Sequence, residues 1–344
     1  MAEKLKFKGE EKVTMALRSL YTSYGYRPYK MSRFEEYDLY AGNKDFLVSG
    51  NVITFTDTDG KLMALKPDVT LSIVKSVKDV KGAVSRICYD ENVFRVSDKS
   101  GTFREIMQDG LECIGDVSSV ELAEVVSLAQ KSLSVISDRS VLTISHMGIV
   151  EGFVRELTEE TKQKALNALA SRNAAELKSM GLDKLAELAG LTGSNEEIYA
   201  RLAEMAADSA SIDELKTIVS VLDQDRVRID FSVLGGMKYY NGITFRGYVD
   251  GVPTAVLSGG QYDKLIKRMG KKSRAVGFAV YLDALERLLE DRSEYDVDVA
   301  LLYKETDDVA TVLEKAAALR GSGSTVAVLR SVPETLRCKE VRNA

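Results

Sequence analysis

Residues 103–115, FREIMQDGLECIG, place Arg104, Ile106, Gln108, Gly110 and Glu112 at every second position. In a strand these five side chains share one face. A polar face with a glycine in its middle suits a ligand lying on a sheet, because the missing side chain lets the ligand approach the backbone. The same pattern also describes the solvent side of a strand, and these residues alone leave both readings open. Asp68 and Thr70 stand two apart and share a face if their segment is extended. With Glu112 they make two carboxylates and a hydroxyl, a set that can satisfy an ammonium, while Arg95 can meet a carboxylate. Tyr239, Tyr240 and Tyr262 lie close to glycines in sequence, which fits a ligand brought against the backbone. An isolated tyrosine pair is also ordinary core filling.

Other chemistry has less to work with. The only histidine, His146, falls at a strand end in LTISHMGIV, where a structural or solvated role is expected. No G-x-S-x-G elbow accompanies it, and one histidine supplies no metal cluster. Cys88, Cys113 and Cys338 are far apart without a C-x-x-C pair, so free thiols are expected rather than a zinc site or disulfide framework. No metal or cofactor is implied. The 344 residues carry a net charge of −5, which gives no general basic footprint for nucleic acid. No apolar run approaches the roughly 18 residues of a membrane helix. The start, MAEKLKFKGEEK, lacks the apolar region of a signal peptide, so a cytoplasmic location without membrane partners is expected.

The elements that must position these residues read as α+β. Helical spacing over 9–24 ends at Gly25. Residues 51–66 form a hairpin turning at Asp57-Thr58-Asp59-Gly60, and 85–115 form two strands joined by VSDKSGT. Ser118 and Glu121 make a capping box that opens a helix. Residues 161–222, rich in Ala, Leu, Glu and Lys, read as a helical insertion with breaks near Gly181, Gly190 and Gly193. Strands return at VRIDFSV, then at GITFRGYV and PTAVLS around an Asp250-Gly251 turn. A helix begins near Tyr262, and a strand–helix unit follows at 274–290. The last part reads strand, helix, strand and a polar end. The expected organisation is a core of 1–160 and 223–292, an insertion of 161–222, and a short α/β segment of 293–344.

Several segments, in order over about 10 to 290, resemble the histidyl-tRNA synthetase group of class II aminoacyl-tRNA synthetases. GYRPYKMSRFEEYDLY (25–40) resembles the first class II motif, with Ser32 in place of its proline; ALKPDVT (64–70) is similar to A-L-R-P-E-x-T. YDENVFRVSDKSGTFREIMQDGLECIG (89–115) resembles the second motif with its following strand, VLGGMKYYNGITF the histidine-specific loop, and GGQYDKL the group's G-G-R-Y-D-G-L. The resemblance implies a class II antiparallel sheet with flanking helices. It also implies a histidine pocket: Asp68 and Thr70 for the amino group, Arg95 for the carboxylate and an ATP α-phosphate, Gln108 and Glu112 for bound histidine, and Tyr240 and Tyr262 for the imidazole, beside the matching Tyr239.

The departures bear on function. The group's catalytic arginine falls on Gly235, and the arginine of the third motif falls on Ala284, after Asp283. Adenylation needs cations on phosphate oxygens, and losing one such group typically costs about 10²–10³ in rate. Leu285-Glu286-Arg287 follows, so a shift in register could return an arginine. Residues 296–344 supply only the opening half of an anticodon-reading domain. This combination is similar to a paralogous family, the regulatory subunits of ATP phosphoribosyltransferase. That likeness implies no enzyme by itself, but a core homodimer that pairs with a short catalytic subunit in the first step of histidine biosynthesis and its feedback control, with histidine as ligand. The alternatives are a divergent or truncated histidine–tRNA ligase and a synthetase-like protein with some other amino-acid ligand or role.

Overall fold

In the computed structural model, residues 9–47, 51–96, 101–235, 239–289 and 294–344 are described. The loop Ser97–Ser100 and residues 236–238 of the tyrosine loop lie outside them. The chain divides into two units, Val13–Leu288 and Met1–Lys12 with Leu289–Ala344.

The larger unit is built on an eight-stranded sheet. Its strands are β1 Arg27–Pro28, β2 Val84–Val96, β3 Phe103–Gly115, β4 Ser140–His146, β5 Val227–Ile229, β6 Ile243–Val249, β7 Leu257–Gln261 and β8 Arg274–Tyr281. They lie in the order β1-β2-β3-β8-β7-β6-β4-β5. The outer pairs β1–β2 and β4–β5 are parallel, and every other pairing is antiparallel. The long hairpin β2–β3 runs in register from Val84↔Gly115 to Val96↔Phe103.

One face of the sheet is covered by the helix Ser119–Ile136. Its first turn closes through the reciprocal Ser118–Glu121 capping box, as the sequence predicts. Leu122, Val125, Val126, Ala129 and Leu133 are buried beneath it. Each of the leucine and valine side chains contributes about 1.5–3 kcal/mol. A Cβ at Gly247 would stand 2.6 Å from Leu133 Cδ2, so the strand needs glycine there for the helix to close on it. Because side chains alternate, Phe245, Leu257, Phe278 and Leu111 face the helix, and their neighbours Arg246, Ser258, Ala279 and Gly110 face the other way.

A three-stranded antiparallel sheet of Phe34–Glu36, Leu62–Leu65 and Thr54–Thr56 contains the predicted hairpin. Five helices fill Glu159–Val219, each opened by a preceding residue and four of them by a side-chain cap: Thr158, Asn173, Ser194 and Asp208.

Three local expectations are corrected. VRIDFSV is a strand only over Val227–Ile229. The Asp230 side chain accepts from the Ser232 N–H at 2.9 Å and from its hydroxyl at 2.8 Å, turning the chain out of the ladder. Asp250-Gly251 does turn, but the returning strand begins only at Leu257, past Pro253, which has no N–H to give a ladder. Asp68 and Thr70 are not in an extended segment. Asp68 caps the helix Val69–Ser76, its Oδ1 accepting from the Leu71 N–H at 2.9 Å, and Thr70 lies in the first turn.

In the smaller unit, Val297–Leu302 is the middle strand of three, parallel to Val326–Leu329 on one side and Cys338–Asn343 on the other. The helix Val309–Gly321 is capped by Asp308. The third strand occupies what the sequence suggests is a polar end.

Candidate functional site

The face of the sheet opposite the long helix floors a cavity of about 340 Å³. All eight residues singled out from sequence line it: Asp68, Thr70, Arg95, Gln108, Glu112, Tyr239, Tyr240 and Tyr262. They come from four places: the start of the helix Val69–Ser76, the β2–β3 hairpin, the chain before β6, and the turn after β7.

Glu112 is its buried centre. Its Oε1 accepts from the Thr70 hydroxyl at 2.7 Å, and its Oε2 accepts from the Tyr262 hydroxyl. Burial raises its carboxyl to about 8, against these two hydrogen bonds, which favour the ionised form. The carboxylate lies so close to β8 that a Cβ at Gly277 would overlap Oε2. Asp68 is also raised by burial, opposed by the Leu71 N–H and the charge of Arg95. Arg95 itself is fixed by its Nε, which donates to the Pro67 carbonyl at 3.0 Å. Gln108 is buried, and its Nε2 has no hydrogen-bond partner among the described residues.

The tyrosines form one packed wall. Tyr239 meets Tyr240 with ring centroids 4.8 Å apart and Tyr262 at 5.6 Å, and Phe46 closes on Tyr239 at 6.1 Å. Burial pushes all three tyrosine hydroxyls upward, so they act as neutral hydrogen-bond groups.

The sequence reading does not single out Tyr89, Arg246, Ser258, Gly277 or Tyr281, which also line the cavity. A signal was available. In RAVGFAVY, Gly277 and Ala279 alternate with Val276, Phe278 and Val280, which marks one face of a strand that keeps space clear. In ITFRGYV, Arg246 interrupts an apolar run on the face opposite Phe245.

His146 lies apart. It is buried at the start of the helix Met147–Val154, where Nδ1 accepts from the Gly148 N–H at 3.1 Å and Nε2 donates to Glu214 at 2.8 Å. It is a structural cap rather than a solvated side chain. Cys88, Cys113 and Cys338 are free thiols. Among the described residues, no group of three His, Cys, Asp or Glu is placed to hold a metal ion, and no helix is long and apolar enough to cross a membrane.

The two positions where synthetases resembling this sequence carry arginine are settled differently. Gly235 adopts φ +50°, a left-handed conformation that side-chain-bearing residues rarely take. A Cβ there would overlap the Tyr240 ring and stand 2.8 Å from Thr244 Oγ1. Ala284 sits in the short turn Leu282–Leu285, and its neighbour Asp283 pairs with Arg104 at 3.7 Å. The Arg287 side chain, the one a register shift would recruit, lies outside the described residues.

The sequence profile described as Histidyl-tRNA synthetase matches residues 4–285. Two relatives named ATP phosphoribosyltransferase regulatory subunit are each 30% identical. That from Geobacter sulfurreducens aligns over 90% of this chain and 77% of its own length, and that from Caldanaerobacter subterraneus over 90% and 87%. The chain belongs to the histidyl-tRNA synthetase family, among its ATP phosphoribosyltransferase regulatory subunits. Two solved structures share the fold. One from Bacillus halodurans, described as an ATP phosphoribosyltransferase regulatory subunit/histidyl-tRNA synthetase, has a TM-score of 0.78 at 20% identity, covering 100% of this chain and 97% of that one. A histidyl-tRNA synthetase from Nostoc sp. has a TM-score of 0.75 at 17% identity, covering 97% and 86%. The histidyl-tRNA synthetase fold is therefore shared by chains of both descriptions, and the class II, α+β reading of the sequence holds.

Proposed function

We propose that this chain is the regulatory, non-catalytic subunit of ATP phosphoribosyltransferase, pairing with a short-form catalytic subunit that condenses ATP with phosphoribosyl pyrophosphate. It acts at the first step of histidine biosynthesis and in its feedback control. The observation that carries this reading is Gly235: the place of the family's catalytic arginine holds no side chain and, with Tyr240 packed against it, has room for none. The amino-acid end of the cavity remains furnished. Histidine is its ligand, its ammonium toward Asp68 and Glu112 and its imidazole among Tyr239, Tyr240 and Tyr262. The core forms a two-fold dimer through the segment 25–40. Supporting this, Phe34 and Phe55 stack edge to face, 5.7 Å apart, on the small sheet and stay 49% and 39% exposed.

The purified chain is expected to sediment as a dimer and to show no histidine-dependent ATP–pyrophosphate exchange, while ATP phosphoribosyltransferase activity rises when a short-form catalytic subunit is added. Exchange at a synthetase-like rate would restore the ligase reading, and a monomer at micromolar concentration would remove the dimer.

The protonation of Glu112 gives a second expectation. Folding raises its pKa from 4.5 to about 8. Its contribution to the stability of the empty protein is therefore complete below about pH 4.5 and lost as pH rises through about 8. A bound ammonium favours the ionised form, so histidine binding at pH 7 expels close to one proton. Affinity is expected to rise about fivefold between pH 7 and 8, following the ionised fraction of a group with that pKa. Calorimetry in two buffers of different ionisation enthalpy measures the released proton. No release, or the same pH dependence in Glu112→Gln, would show that Glu112 does not meet the ammonium.

A further inference from the structure

The floor of the cavity is a grid set by strand register. One row runs Arg246 on β6, Ser258 on β7, Ala279 on β8 and Gly110 on β3, ending at Tyr89 on β2. The next row on one side carries Gly260, Gly277 and Glu112, and the row on the other carries Tyr281 and Gln108. Strands are about 4.8 Å apart. Between Arg246 and the strand of Gln108 and Glu112 the middle row therefore holds only a serine and an alanine, and it meets that strand at Gly110. It forms a trough with a guanidinium at one end and nothing bulky along its floor.

The hydrogen-bond inventory of this trough is one-sided. Both oxygens of Glu112 already accept, from Thr70 and Tyr262. What is unmatched is donors. Gln108 Nε2 is buried without a partner, and the half-buried Arg246 guanidinium, which lines the same cavity, makes no hydrogen bond or ion pair among the described residues, while Arg95 there is tied through its Nε to the Pro67 carbonyl. A buried donor that faces a cavity, as Gln108 does, calls for an acceptor. A cation and an amide together call for an anionic, planar one. The backbone at Gly235 excludes a cation from that position, whereas Arg246 reaches the cavity from the middle of a strand in the sheet.

We infer that Arg246, with Gln108, holds the α-carboxylate of the amino-acid ligand, the role that the family resemblance gives to Arg95, whose Nε is instead tied to the Pro67 carbonyl. The pocket then recognises a free amino acid by its negative end as well as by its ring. This rests on the histidine reading above and adds the group that distinguishes the acid from analogues without a carboxylate.

Calorimetric titration of the full-length chain with histidine and with histidinol, in which an alcohol replaces the carboxylate, tests it. Wild type is expected to prefer histidine by about 10- to 100-fold, the range for losing a charge-assisted hydrogen bond. Arg246→Met should remove most of that preference by weakening histidine alone, leaving histidinol within about threefold, and Arg246→Lys should recover part of it. Since Arg246 has no partner to orphan, both variants should melt with the wild type. If Arg246→Met keeps the preference, or if wild type shows none, the inference fails while the histidine reading stands. If wild type binds neither ligand, both fail. The wild-type comparison needs no variant to fold.

Discussion

Replacing Lys66 by alanine is expected to destabilise the larger unit by about 3–5 kcal/mol, lowering its melting temperature by on the order of 10 °C. Lys66 is wholly buried, and its Nζ donates to Glu91 Oε2 at 2.8 Å. Glu91 is 5% exposed, and its other oxygen accepts the Met31 N–H at 3.2 Å. The pair ties the segment leading to Asp68 onto β2, and the Lys66 carbonyl accepts from the Phe94 N–H beside it. Removing only the lysine leaves the buried carboxylate with the Met31 N–H and, at 3.9 Å, the exposed ammonium of Lys30. The double variant Lys66→Met with Glu91→Leu removes both charges and should recover most of the loss, because replacing a whole buried pair by apolar groups is often close to neutral. Urea denaturation of the single and double variants measures both. A single variant within about 1 kcal/mol of wild type would mean that the pair is not desolvated as its burial implies.

Gly277→Ala should abolish measurable histidine binding, a loss of about 100-fold or more, and cost about 3 kcal/mol of stability. The added methyl would overlap Glu112 Oε2 and come within 2.5 Å of the Leu111 carbonyl oxygen on the paired strand. The backbone has nowhere to go, so the carboxylate must move, and moving it orphans the hydroxyls of Thr70 and Tyr262 together. Gly152→Ala is the control, since nothing lies within 4 Å of a Cβ there, and it should stay within about 1 kcal/mol of wild type. Titration calorimetry with denaturation curves for both variants decides the matter. Wild-type affinity in Gly277→Ala would show that the ligand does not depend on where β8 holds Glu112.

What the sequence made legible, and what it hid, divides by the range of the interaction. The Ser118–Glu121 cap, the hairpin around Asp57–Gly60 and the long strands of 84–115 obey rules spanning a few residues, and they form where those rules put them. The strand Cys338–Asn343 was hidden because five of its six residues are exposed, so burial imposes no alternation to read. VRIDFSV alternates well beyond the point where the Asp230 side chain ends the strand, since the pattern registers faces but not a competing turn. Asp68 and Thr70 reach the cavity by a different route from the extended one the spacing suggests. A helix start places the capping residue and the first turn on the same side of the chain's entry. The eight residues found from the resemblance all meet, because ordered motifs carry three-dimensional information that spacing lacks. Arg246 was missed because its neighbours on the floor, Ser258 and Ala279, come from strands that only the fold brings beside it.

The closed backbone at Gly235 also bears on what mutation can do with this chain. In an ordinary loop, a lost arginine returns by a codon change or two. Here any side chain at 235 must hold a strained φ and displace Tyr240, a wall of the cavity. An arginine placed at 235 alone is thus expected to cost stability and to reshape the cavity wall, with Ala284 still unchanged.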